Sequence, residues 1–314
     1  MAAPRVGGIL CLSKRGFMPD IIRAILLMVI SMFFFTLADL FVKLSSHTLP
    51  SEMVITVMGG GTMILFYAAM RQQNLRLFHK DYWHYAVAIR TSGEVIAGVG
   101  IIAALAVVPL ATVTAIMQSQ PLLVTAAGAL FLGERVGIRR FSAVIIGLVG
   151  VLFIIRPGLG DFSVHSLIVI IGVIGMTMRD VGSRMVPSRI PTLVIALYGA
   201  ASMTIVGLGM MIAANAFVMP VGMTWLYVVI MILAGSAGVY FITNAMRLGE
   251  VSVVSPFRYV KIVFGMGAGV LFLGERIDGF TMIGTLIVTG AGIYAFMRER
   301  HLLKQAIDID HTTS

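Results

Sequence analysis

The hexapeptide Leu-Phe-Leu-Gly-Glu-Arg occurs twice in this chain, at Leu130–Arg135 and again at Leu271–Arg276. The two copies lie 141 residues apart. Other residue types recur at the same offset: Thr36 and Thr177, Asp39 and Asp180, and Pro50 and Pro191. A constant offset over most of the chain indicates two structural units of the same plan in tandem.

The composition shows in which solvent these two units fold. Of the 314 residues, 59% are hydrophobic and 12% are charged, and the mean hydropathy is +0.99. A soluble domain carries about 25% charged residues, so this chain cannot cover itself with polar surface in water. The sequence therefore predicts an integral membrane protein. In that setting the net charge of +9 indicates basic loops that set the orientation in the membrane, and we expect no nucleic-acid partner.

Apolar runs of about 20 residues, the length that a membrane-spanning helix needs, predict an all-α protein with ten transmembrane helices, five in each unit. The predicted spans are 21–42, 52–70, 84–108, 110–132, 137–155, 165–183, 192–215, 222–246, 251–273 and 277–297. We divide the chain into an N-terminal extension at 1–20, a first unit at 21–155, a second unit at 165–297 and a tail at 298–314.

The distribution of Lys and Arg predicts the orientation. With the N-terminus in the cytoplasm, 16 of the 23 basic residues fall in cytoplasmic segments, whereas only Lys43, Arg156 and Arg276 fall on the other side. This bias predicts that both termini are cytoplasmic. Because five spans is an odd number, the second unit crosses the membrane in the opposite sense to the first. Inverted repeats of this kind suit transport by alternating access, in which two similar halves move about a central site.

Ten helices in two units, each with a Gly-Glu-Arg ending after its fourth helix, resemble the EamA-like families of the drug/metabolite transporter superfamily. The resemblance covers residues 21–297 and implies a multi-pass transporter of the bacterial inner membrane. It also implies a central cavity lined by the third, fourth, eighth and ninth helices. Gly133-Glu134-Arg135 and Gly274-Glu275-Arg276 carry over as structural ends of helices, and no substrate residue carries over.

Charged residues within the spans are the first candidates for a substrate site, because charge at membrane depth usually faces protein or a wet cavity. Arg90 and Glu94 lie four residues apart on one face of the third span. They form either a self-neutralising pair or a binding group whose carboxylate takes up a proton. Arg258 and Lys261 share a face of the ninth span, and we expect them to contact an anionic substrate group or Glu94. Pro256, just before them, is expected to open the helix locally.

Polar residues in neighbouring spans extend this predicted site. The repeat offset places Gln118 and Gln120 of the fourth span at the positions of Tyr259 and Lys261. Two glutamines beside Pro121 favour a cavity wall over simple contacts between helices. In the eighth span, Tyr240 and Asn244 share a helix face. The predicted substrate-binding residues are Arg90, Glu94, Gln118, Gln120, Tyr240, Asn244, Arg258, Tyr259 and Lys261.

Asp39 and Asp180 occupy equivalent positions near span ends, and each is followed four residues later by a basic residue, Lys43 or Arg184. The spacing predicts pairs within one helix that stabilise its end. The alternative is a gate latch on each face of the membrane.

The sequence lacks the patterns that membrane enzymes or ATP-driven pumps would need. It has no HExxH, GxSxG or nucleotide-binding loop, and its six histidines fall in loops, tails or span ends. We expect no enzyme activity, no cofactor and no metal. The predicted function is secondary transport of an amino-acid-like anion or zwitterion, coupled to protons by default. A vitamin or nucleoside-type cofactor such as riboflavin is the alternative substrate, and a non-transporting membrane subunit or intramembrane enzyme is the alternative class. The expected partners are a small-molecule substrate, membrane lipid and, as an option, a second copy in a homodimer.

Overall fold

The computed structural model describes residues 14–131, 137–156, 165–187, 189–248 and 254–313. Every regular element in these ranges is helical, which confirms the all-α prediction. The α-helices are α1 Lys14–Ser45, α2 Ser51–Gln72, α3 Tyr85–Val107, α4 Leu110–Met117, α5 Gln120–Phe131, α6 Ile138–Ile155, α7 Ser166–Met185, α8 Thr192–Ala213, α9 Thr224–Leu248, α10 Val260–Leu273 and α11 Gly279–Thr313. Two short 3₁₀ helices cover Lys80–Tyr82 and Ser255–Tyr259.

Eight helical stretches of the described chain are long and apolar enough to cross a membrane. One of them, Leu110–Phe131, combines α4 and α5, and a shorter apolar helix covers Phe141–Ile155. Large apolar side chains such as Ile205, Ile212 and Phe272 are exposed on the outside. An apolar exterior over polar contacts inside is the surface that a lipid bilayer requires.

The main helix contacts join the part of the chain before residue 157 to the part after residue 164. Helix α3 packs on α7, α1 on α9, α2 on α8, and α6 on α11. Glycines allow two of these helices to approach closely: a Cβ atom on Gly100 would lie 2.8 Å from the Cα of Gly172. Small residues at helix interfaces are the usual means of close packing in membranes.

Two departures from regular α-helix, which we call breaks, lie at positions that correspond under the 141-residue offset. The first break is the turn at Gln118-Ser119, where the backbone N–H of Ser119 bonds to the carbonyl of Ile116 at 3.0 Å. The second is the 3₁₀ helix Ser255–Tyr259, which precedes α10. A proline lies at each break, Pro121 or Pro256, and removes a backbone donor. Helices α4 and α10 pack against each other, so the two breaks belong to neighbouring elements.

One end of the bundle carries a separate link between α6 and α11. Arg156 follows α6 in a left-handed conformation, with φ of 53°, and forms an ion pair with Asp278. Asp278 also accepts the backbone N–H of Thr281 at 2.7 Å, which caps the first turn of α11.

Candidate functional site

Five charged side chains form a continuous series beside the two breaks. We call this series, which consists of Arg90, Glu94, Arg179, Asp180 and Arg258, the charge chain. Glu94 of α3 lies 3.7 Å from Arg90 and 3.6 Å from Arg179 of α7, measured between nitrogen and oxygen. Asp180 lies 3.0 Å from the Nε of Arg179 and 3.8 Å from Arg258. The charge chain therefore links α3, α7 and the 3₁₀ segment before α10.

The two glutamines at the first break join this charge chain. Gln120 donates from Nε2 to Asp180 at 2.5 Å, and its Oε1 lies 3.5 Å from Arg258. Gln118 donates to the backbone carbonyl of Arg258 at 3.1 Å. Gln118 and Gln120 at the first break thus contact Arg258, the charged residue at the second break. Discontinuous helices in corresponding positions of two repeats are a typical setting for a transporter's substrate site.

A second charged pair lies next to the charge chain. Lys261 of α10 forms an ion pair with Asp39 of α1 at 2.8 Å, and both side chains are largely buried. The Lys261 Nζ also lies 4.0 Å from the sulfur of Met117 and 5.8 Å from the centre of the Phe35 ring. This pair is neutral as a unit, and it joins α1, α4 and α10.

The charge balance of the site favours a negatively charged ligand group. The charge chain contains three arginines and two carboxylates, so one positive charge is left over. Arg258 has the longest contacts of the three arginines, at 3.5 Å to Gln120 and 3.8 Å to Asp180. Arg90, by comparison, also donates to the carbonyl of Ile195 at 3.0 Å. Arg258 is thus the guanidinium with the most capacity for a further partner.

Two expectations about charge pairing need correction. For Arg258 and Lys261 we expected an anionic substrate group or Glu94, and the structure rules against Glu94, because Asp180 and Asp39 are their carboxylate partners. We also expected Asp39 to pair with Lys43, four residues on. Instead, Lys43 donates to the carbonyls of Leu105 and Val108 at 3.0 and 2.7 Å, because its side chain reaches the open end of α3.

The pair of Asp180 with Arg184 stays a prediction. Asp180 makes contacts with Arg179 of the same helix, with Arg258 and with Gln120. For Asp39 the physical reason is clear: a buried cation on a neighbouring helix needs the carboxylate more than a base at a helix end, which can bind a carbonyl group.

Two predicted site residues make their described contacts within α9, and a third, Tyr259, follows Arg258 but extends toward α11. Asn244 donates within α9 to the carbonyl of Tyr240 at 2.8 Å, and Tyr240 is 65% exposed and packs edge-on to Phe241. Tyr259 is buried, and its hydroxyl group occupies the space beside Gly292 of α11. In the described part of the chain, the structure brings Gln118 and Gln120 to the charge chain, but no described contact brings Tyr240 or Asn244 there.

Arg179 is a site residue that was not predicted from the sequence. Its side chain lies between Glu94 and Asp180 and connects the two halves of the charge chain. The available signal was a second base directly beside Asp180 within an apolar span. The helix-end residues Gly133, Glu134 and Arg135 lie outside the described residues, as do residues 1–13 of the predicted extension. Within the described residues, no group of three or more His, Cys, Asp or Glu could hold a metal ion.

Comparison with protein families decides the identity of the fold. The profile of the EamA-like transporter family matches residues 22–156 and again residues 164–297. The chain belongs to the EamA-like transporter family. This EamA-like transporter is therefore a multi-pass membrane protein, and the prediction of a small-metabolite transporter is confirmed by the family and by the relatives that follow.

Individual relatives of this EamA-like transporter have different named substrates. It is 27% identical to the pseudopaline exporter CntI of Pseudomonas aeruginosa, over 87% of this chain and 96% of the relative. It is 23% identical to the S-adenosylmethionine uptake transporter of Rickettsia bellii, over 65% of this chain and 69% of the relative. It is 26% identical to the riboflavin transporter of Rhizobium johnstonii, over 65% and 68% of the two chains. All three are transporters, which favours transport over an enzymatic function.

A solved crystal structure supports the fold independently. It superimposes on this EamA-like transporter with a TM-score of 0.62 at 20% identity, over 89% of this chain and 98% of the other. At this level of identity the likeness concerns the fold alone.

Proposed function

We propose that this protein is a secondary active transporter that moves a small anionic or zwitterionic, amino-acid-like metabolite across the bacterial inner membrane. The observation that carries the proposal is the single excess positive charge in the charge chain, located where the two breaks lie in neighbouring elements. Charge is expensive at membrane depth, by about 2.5–3.5 kcal/mol for a basic residue at a helix centre. A negatively charged ligand group at this position offsets that expense.

Arg258 is the residue that we propose receives the negatively charged group. A guanidinium presents a planar set of donors that matches a carboxylate with two parallel hydrogen bonds. Its present contacts with Asp180 and Gln120 are long, so a substrate carboxylate forms better ones. Asp180 keeps Arg179 and Gln120 as partners when Arg258 turns to the substrate, and Gln118 holds the Arg258 backbone in place.

The alternating-access part of the proposal depends on two inverted five-helix units with both termini in the cytoplasm. The helix contacts support it, because they keep their pattern when the units are exchanged. Under the 141-residue offset α1 corresponds to α7 and α3 to α9, so the contact of α3 with α7 becomes that of α9 with α1. The family profile also matches the chain twice. A pseudo-twofold arrangement of this kind lets the two halves exchange roles between inward-open and outward-open states.

The proposal is tested by counterflow in proteoliposomes. Proteoliposomes that contain the purified protein would be loaded with candidate amino-acid-like metabolites. Riboflavin would represent the alternative substrate class. We expect exchange of an acidic or zwitterionic compound, and a loss of at least tenfold in Arg258→Gln. Arg23→Gln is the matched control, because Arg23 is an exposed arginine whose ion pair with Asp20 measures 3.8 Å.

Two results would contradict the proposal. If riboflavin exchanged while acidic and zwitterionic compounds did not, the proposed substrate class would be wrong. If Arg258→Gln and Arg23→Gln exchanged the same compound at the parent rate, the charge chain would not be the substrate site.

A further inference from the structure

The second copy of the repeated hexapeptide makes a long-range contact that a simple helix ending does not require. The Glu275 carboxylate accepts the backbone N–H groups of Leu110 and Ala111 at 2.6 and 2.9 Å. These are the first residues of α4, 165 and 164 positions away in the chain. A residue of the predicted second unit therefore caps the interrupted helix of the first.

The sequence around Glu275 is built for this contact. Gly274 ends α10 in the left-handed conformation, with φ of 65°, which a residue without a Cβ atom adopts at little expense. The chain then turns back, and the backbone N–H of Glu275 bonds to the carbonyl of Gly269 at 3.0 Å. A Cβ atom on Gly269 would overlap the Glu275 carboxylate. Gly274 therefore provides the turn, and Gly269 the space, that allow Glu275 to reach the start of α4.

A second charged side chain, from α1, forms hydrogen bonds with the same turn. Lys43 donates to the carbonyls of Leu105 and Val108, at the end of α3, at 3.0 and 2.7 Å. The turn between α3 and α4 thus has a cation at the carboxyl end of one helix and an anion at the amino end of the next. Both charges are opposite to the partial charge of the helix end that they contact.

We propose that Glu275 and Lys43 form a latch that closes one end of the interface between α4 and α10 and thereby positions the broken helix α4. This inference rests on the proposed transport function, since a latch has a purpose only in a protein that opens. Four hydrogen bonds hold the α3–α4 turn. The α4–α10 interface cannot separate at this end until the two from Glu275 are lost.

The consequence for the site follows from the length of α4. Its first residues contact Glu275, and its last residue, Met117, contacts Lys261. Eight residues therefore connect the latch to the charged residues at the break. Glu275 is in this sense a positioning residue, because it reaches the substrate site only through α4.

The latch is tested by the reactivity of one buried cysteine in the purified, full-length protein. The natural Cys11 would first be replaced by serine. Thr114→Cys then provides the reporter, because Thr114 is 1% exposed and faces Gly265 of α10 across the closed interface. We expect the rate of maleimide labelling at position 114, measured without substrate and well below the unfolding temperature, to rise about tenfold in Glu275→Gln.

Lys43→Gln should also raise the rate of maleimide labelling at position 114. In the double variant the increase should be smaller than the product of the two single increases, because both side chains bind the same turn. Asp278→Asn is the matched control. It weakens the ion pair between α6 and α11 at the same end of the bundle, and the described contacts of Asp278 are with Arg156 and Thr281 rather than with α4. Its labelling rate should equal that of the parent.

Several outcomes would overturn the latch. A lower unfolding temperature of Glu275→Gln with a parental labelling rate would make Glu275 a structural cap alone. An equal increase in Asp278→Asn would mean general loosening. Should Glu275→Gln fail to fold, Lys43→Gln carries the same test, and a parental rate there refutes the latch. Counterflow by the latch variants, which retain Arg258, tests the proposed transport function separately. A parental labelling rate in variants that still exchange substrate refutes the latch and leaves the proposed function intact.

Discussion

The ion pair between Asp39 and Lys261 yields a quantitative prediction about stability. The two charged groups lie 2.8 Å apart, and 9% and 16% of the lysine and aspartate side chains are exposed. Replacing Lys261 by methionine keeps the length and apolar part of the side chain but removes the charge. The Asp39 carboxylate is then left at membrane depth without its partner.

The distance sets the size of the effect. At 2.8 Å and an effective dielectric constant of about 20, the attraction is about 6 kcal/mol before desolvation is subtracted. Breaking a buried pair by removing one partner destabilises a protein by about 3–5 kcal/mol. We expect Lys261→Met to lower the free energy of unfolding by about that amount, and Asp39→Asn to do the same. The double variant should lose less than either single variant, because neither charge is then left alone.

The assay is a double-mutant cycle by chemical unfolding in mixed detergent micelles, with the coupling energy as the result. We expect a coupling of about 2 kcal/mol or more. Arg23→Met is the matched control, because it breaks an exposed pair of 3.8 Å and should change stability by less than about 1 kcal/mol. Additive effects of Lys261→Met and Asp39→Asn would refute the reasoning, because they would mean that the pair is not coupled in the membrane protein.

Three further predictions concern packing, proton coupling and topology. Gly93→Ala should destabilise the protein by about 1–3 kcal/mol, since the new Cβ atom would overlap the backbone of α7. Gly209→Ala is the control and should not destabilise the protein, because its Cβ atom would meet nothing within 4 Å. Equal effects of the two substitutions on thermal unfolding would count against the helix contact. Glu94→Gln should flatten the pH dependence of counterflow if this carboxylate carries the coupling proton; a parental profile would exclude Glu94 from coupling. Cysteines at Arg76 and Arg276, labelled in intact cells with an impermeant reagent, should react only at position 276, and the reverse would overturn the orientation.

The class of fold was predictable because it depends on properties that a single sequence displays. Hydropathy and low charge predict membrane helices, and the two copies of Leu-Phe-Leu-Gly-Glu-Arg predict two units. The local opening expected at Pro256 agrees with the 3₁₀ segment there, whereas residues 110–132 were predicted as one span without the break at Gln118-Ser119. Gln118 and Gln120 were predicted to form a cavity wall, which stays a prediction; the structure places both side chains in contact with Arg258.

The charge partners were not predictable in the same way. Spacing within a helix suggested Asp39 with Lys43, but the actual partner, Lys261, is far away in the sequence. Periodicity shows which residues share a helix face, but it does not show which neighbouring helix that face meets. Arg179 illustrates the same limit, since its role depends on Glu94 of a helix that packs on α7. Tyr240 shared a face with Asn244 as expected, yet that face lies apart from the charge chain.

The most direct test of the central claim compares two ligands that differ only in one carboxylate. The transported compound and its carboxamide analogue would compete for binding to the purified parent protein, to Arg258→Gln and to Arg23→Gln. A carboxylate held by two charge-assisted hydrogen bonds should bind the parent at least tenfold more tightly than the amide, since each contributes about 1.5–3 kcal/mol. We predict that Arg258→Gln loses this preference and that Arg23→Gln keeps it. An unchanged preference in Arg258→Gln would contradict the assignment of the substrate site.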